Sequence, residues 1–99
     1  MWALYDTQSD AVQVFIPEQW ANAGGHTEQL PDGVLVDIDR DGRPMGVALF
    51  DPRTADLARV IPDAARRFDL DPEPILAAVQ AALAVPGRAI TIDVQELPA

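Results

Sequence analysis

The residues best placed by type and spacing to do chemistry are the carboxylates of Asp37-Ile38-Asp39-Arg40-Asp41-Gly42. Acidic side chains at alternate positions, followed by glycine, match the opening of a calcium loop: oxygens at the first, third and fifth places and a sharp turn at the sixth. Calcium needs about six to eight oxygens, and such a loop closes with a bidentate glutamate, a place held here by Ala48. The same residues also spell a β-hairpin turn, with glycine where positive φ is wanted and Asp37 and Asp39 facing solvent. The hairpin accounts for every residue, whereas the ion loop lacks its closing ligand, so no metal is expected. Asp37 and Asp39, next but one on a strand and within reach of Arg43, remain candidates for ligand binding or acid–base work.

The single histidine, His26, follows Gly24-Gly25 and is the other candidate for a general base or ligand. No second histidine or cysteine is available to complete a metal site around it, and a solvated loop position explains it better. Ser9, the one serine, has no histidine–carboxylate partners by sequence. Gly24-Gly25 is not followed by the Gly-Lys-Ser/Thr of a phosphate loop. Ala65, Asp69-Leu70-Asp71 and Ile75 carry the small, tight-turn and apolar positions of a helix-turn-helix. Its second helix, however, offers no Lys or Arg and only Gln80 to read a base, and Asp63, Asp69, Asp71 and Glu73 surround Arg66 and Arg67. No catalytic residue and no cofactor is predicted.

Composition narrows the classes further. Sixteen acidic residues against seven arginines, with no lysine, give a net charge of −9. Nucleic-acid binding needs clustered positive charge, so nucleic acid is not an expected partner, and a basic protein is favoured over an acidic one. Acidity also simply maintains solubility. Cysteine is absent, which removes disulfides, thiolate metal sites and a cysteine nucleophile. No apolar run approaches the roughly 18 residues of a membrane span, and Met1 to Asp6 lacks the basic and apolar regions of a signal peptide. The expectation is a cytoplasmic protein with no membrane partner. Ninety-nine residues, 48% hydrophobic, suit a single domain over 1–99 with a thin core that dimerisation would extend.

The elements that must position these residues follow from period and turn chemistry. Trp2 to Tyr5 and Ala11 to Ile16 are apolar, β-rich runs around a polar gap, which predicts a hairpin. Pro17 ends the second run, and 18–26 shows no clean period. Thr27 to Leu30, Val34 to Asp39 and Met45 to Phe50 predict further strands, separated by Pro31-Asp32-Gly33 and Arg40-Asp41-Gly42-Arg43. After Asp51-Pro52 the apolar spacing turns helical, with a break expected near Ile61 because Pro62 cannot continue a helix cheaply. Asp71-Pro72 opens another helix, which Pro86-Gly87 stops, and 88–95 alternates as a final strand. The predicted fold is α+β: an antiparallel β-meander of five or six strands, two or three helices over about 53–85 on one face, and the last strand joining the sheet.

The first half also carries a family resemblance. The runs LYDTQSDAVQVFI and DGVLVDIDRDGRPMGVALFD resemble the small bacterial proteins of domain-of-unknown-function family 2283, which show tyrosine-aspartate, an alternating strand, and a hairpin with an acidic-x-glycine turn. Tyr5-Asp6, Val34 to Asp39, Asp41-Gly42 and Gly46 occupy those features; the likeness covers residues 1–51, with the helical remainder as an extension. It implies a compact β-rich domain and no established activity, with an antitoxin-like role suggested by similar proteins encoded beside small toxin-like genes. Helices can cover only one sheet face, so the other is solvated or buried by a partner. Trp2, Leu4, Phe15 and Leu35 are expected there and Trp20 in the irregular connection, which makes Trp2, Phe15, Trp20 and Leu35 candidate interface residues. The reading is a non-enzymatic interaction module, a homodimer and an antitoxin-like neutraliser of a basic partner. The alternative is a small-molecule binder or minor enzyme using His26 and nearby carboxylates.

Overall fold

A computed structural model describes residues 1–16 and 25–91. Its strands are β1 (Trp2–Asp6), β2 (Ala11–Phe15), β3 (His26–Leu30), β4 (Val34–Ile38), β5 (Pro44–Phe50) and β6 (Ile90–Thr91). The helices are α1 (Leu57–Arg67) and α2 (Pro72–Ala84). The fold is α+β, with the six strands antiparallel in one open sheet and both helices packed against it.

The strand order is β3-β4-β5-β2-β1-β6, which departs from a simple meander at two places, β5 beside β2 and β6 beside β1. Consecutive pairing would put β3 beside β2, but β5 takes that position and β3 goes to the edge. Side-chain character explains the exchange. On β2 and β5, Val12, Val14, Val47 and Leu49 are buried and belong in the middle, whereas His26, Thr27, Glu28 and Gln29 of β3 are all exposed. A short polar strand is what a sheet edge tolerates. The backbone N–H of Asp51 donates to the Asp10 carbonyl (2.9 Å), tying the end of β5 to the β1–β2 turn. Of the strand predicted over 88–95, only Ile90 and Thr91 pair with β1; Arg88 and Ala89 belong to the turn before it, and residues 92–95 lie outside the described residues, as do Pro17 and Trp20.

Alternation sorts the sheet into two unlike faces. Ala3, Tyr5, Val12, Val14, Val34, Val36, Val47 and Leu49 point one way and form a single buried cluster with Val60, Ile61, Ala64, Ala65, Ile75, Ala78, Val79 and Ala82 of the helices. Each fully buried valine or leucine contributes about 1.5–3 kcal/mol by leaving water, so this layer supplies most of the cohesion.

Two helix expectations need correction. α1 starts at Leu57 rather than just after Pro52; residues 52–54 form a turn, with Asp51 at φ 51° and Arg53 placed 5.3 Å from the Tyr5 ring centroid. The expected break at Ile61 is absent, and α1 runs through Pro62 to Arg67. Pro62 forfeits one backbone bond, to the carbonyl of exposed Ala58, which water can satisfy. Burial of Val60 and Ile61 before the proline and Ala64 and Ala65 after it outweighs that loss. α1 ends in a Schellman turn: the Leu70 N–H donates to the Ala65 carbonyl (2.9 Å) around Asp69 at φ 55°. α2 begins as its sequence predicts, with the Asp71 carboxylate accepting from the Glu73 N–H at 3.1 Å.

Candidate functional site

No described helix lies over the second sheet face, and the register sets out its side chains in rows. One row runs Trp2, Phe15, Gly46, Asp37, Thr27 across five strands. The next runs Leu4, Gln13, Ala48, Leu35, Gln29, and a third holds Asp6, Ala11 and Phe50. The rings of Trp2 and Phe15 stack with centroids 4.0 Å apart and planes 15° from parallel. Phe50 is 41% exposed, among the most exposed large apolar side chains described. Strand positions on this face carry two carboxylates, Asp6 and Asp37, and no cation. Trp2, Phe15, Leu35 and Asp37, singled out from sequence, therefore come together on one surface.

Asp39 does not join them. The register slips between Asp37 and Ile38, so the chain leaves strict alternation there, and Asp39 is 1% exposed. Its Oδ1 accepts from the backbone N–H groups of Asp41 and Arg43, both at 2.9 Å. The Asp39 N–H donates to the Arg43 carbonyl (2.9 Å) and the Asp39 carbonyl accepts from Gly42 (3.0 Å), with Gly42 at φ 84°. The expectation that Asp39 faces solvent beside Asp37 is thus overturned: Asp39 organises the turn from inside. Among the described residues no group of three or more His, Cys, Asp or Glu is placed to hold a metal ion.

His26 opens β3 opposite Ile38, while its neighbour Thr27 opposes Asp37 and donates to it through Oγ1 at 2.6 Å. Successive strand residues point to opposite faces, so His26 and Asp37 are separated by the sheet. The nearest acidic partner of His26 is the exposed Glu28, Nε2 to Oε1 3.3 Å. Among the described residues, His26, Asp37 and Asp39 are not brought together.

A separate cleft of about 390 Å³ lies where the Pro31–Gly33 turn meets the start of α1, lined by Asp32, Phe50, Asp51, Thr54, Asp56 and Arg59. Sequence reasoning missed it, because residues about 27 apart in the chain give no local pattern. Arg59 spans it, 3.2 Å from Asp32 and 3.9 Å from Asp56. The hydrogen bond to Asp32 and the same carboxylate's charge raise the guanidinium pKa above its ordinary value. Its one cation is engaged internally, and the cleft is open to solvent.

The geometry defines an α+β sheet protein with one helix-covered face and one apolar, weakly acidic face that, among the described residues, no helix covers. No protein-family model, curated protein or solved structure matches the chain. Among the described residues no helix is long and apolar enough to cross a membrane.

Proposed function

We propose that this protein is a non-enzymatic interaction module that docks a basic protein on its uncovered sheet face. The observation that carries the reading is the apolar patch of Trp2, Phe15, Leu4, Leu35, Ala48 and Phe50, set among carboxylates without a cation on the same face. Phe50 is exposed and the other five are half-buried, and contiguous apolar surface left partly open to water marks contact sites on small proteins. Charge then discriminates between occupants. A second copy brings the same carboxylates and another −9, whereas a basic protein brings the complementary sign and is steered to the face. An antitoxin-like neutraliser of a small basic toxin is the specific form this function takes, in keeping with the resemblance of residues 1–51. Light scattering at micromolar concentration tests the choice of occupant. One chain mass, 10.7 kDa, is expected for the purified protein. Twice that mass, restored to one by Phe15→Asp, would assign the face to a homodimer instead.

A further inference from the structure

We infer that the uncovered face contains a receptor for one arginine side chain of its partner, in the notch over Gly46 between the Phe15 ring and the Asp37 carboxylate; the inference rests on the docking reading above. Gly46 lies directly between Phe15 and Asp37 in their row, so the ring and the carboxylate stand two strand spacings apart, about 10 Å between backbones. A methyl group at Gly46 would press on the Val14 carbonyl oxygen at 3.0 Å and would lie 3.9 Å from Phe15 Cδ1 and 4.0 Å from Asp37 Oδ2. Both groups therefore border the space that the missing side chain leaves. The resulting depression measures about 20 Å³ and is bounded by Gln13 and Ala48 from the next row.

The two walls are fixed before anything enters. Trp2 stacks on one face of Phe15 and holds the ring against the sheet. Thr27 donates to Asp37 Oδ1 at 2.6 Å, leaving Oδ2 on the side of the notch. Among the described residues no arginine pairs with Asp37. An aromatic wall, a carboxylate with one oxygen available, and an amide at the rim are complementary to a guanidinium. Its plane stacks on the ring while its N–H edge meets Oδ2. A lysine ammonium can take the charge pair but not the stacking.

The full chain, labelled with nitrogen-15, is titrated with the peptide acetyl-Gly-Leu-Arg-Leu-Gly-amide and with its citrulline counterpart, which keeps shape and loses charge. Saturable shifts centred on Phe15, Asp37, Gly46 and Ala48 are expected, with the citrulline peptide about fivefold weaker or worse. Asp37→Asn, which retains the Thr27 contact and the side-chain shape, should remove the preference for arginine while leaving citrulline binding unchanged. Equal binding of the two peptides, or saturable shifts centred elsewhere, would overturn the inference, as would the absence of any shift at Phe15, Asp37 and Gly46 at about 10 mM peptide. The docking reading is tested separately, by the mass of the purified chain in solution. One chain mass with no preference for the arginine peptide refutes the notch and leaves the face, whereas a homodimer restored to one chain mass by Phe15→Asp refutes the docking of a basic protein.

Discussion

Asp39 and Asp37 are chemically identical and only two positions apart, yet the fold uses them in opposite ways. Asp39 is sealed into the β4–β5 turn with its Oδ1 accepting from Asp41 and Arg43. Bonds from backbone N–H to a carboxylate are stronger than neutral ones, and losing the acceptor strands two donors. Asp39→Ala is therefore expected to lower unfolding free energy by about 2–3 kcal/mol, and Asp39→Asn, which keeps an acceptor oxygen, by less. Urea denaturation of both variants checks the order. A loss within about 0.5 kcal/mol for the alanine variant, the usual effect of a surface substitution, would show that the turn does not depend on this side chain. The difference between the two aspartates was not legible from the sequence. Strict alternation gives them one face, and only the register slip after Asp37, which has no residue signature, turns Asp39 inward. The pairing of Trp2 with Phe15 was closer to legible, since both end apolar strands of one hairpin and fall on the same face by period two. Gly46 gave no signal of a notch, because what makes it one is the pair of neighbours supplied by β2 and β4.

At the scale of elements, the strands, the second helix and the turns were readable because each rests on local chemistry. Asp71-Pro72-Glu73 caps α2, Asp41-Gly42 turns β4 into β5, and β-branched residues alternate in β4. Two features depended on competition that no local window contains. The first is strand order, where the polar β3 yields the centre of the sheet to β5. The second is α1, where proline's local penalty loses to the burial of Val60, Ile61, Ala64 and Ala65. If that account is right, the penalty persists as unused stability. Pro62→Ala restores the N–H facing the Ala58 carbonyl and is expected to raise unfolding free energy by about 1–3 kcal/mol, up to the cost of an interior proline. A rise in urea midpoint with unchanged slope would show it. A fall would mean that the packing of the half-buried proline ring matters more than the bond it removes.

For the molecule as a whole, the distribution of charge and apolar surface matters more than either total. The helix side closes a core from both layers, and four of the seven arginines (Arg53, Arg59, Arg66, Arg67) sit on α1 or the turn before it. The opposite face keeps stacked aromatics, leucines and two carboxylates. A partner that meets this surface must supply apolar contact and positive charge together. Its affinity should fall as added salt shortens screening below the roughly 8 Å of physiological ionic strength. The most direct test of that claim is photo-crosslinking in native host cells, with benzoylphenylalanine placed singly at Phe15, at Leu35, or at Arg66 on the helix side. The account predicts the same discrete adduct from positions 15 and 35, containing a basic protein, and none from position 66. Adducts from position 66 alone, or an adduct at 15 that contains only a second copy of this chain, would contradict it.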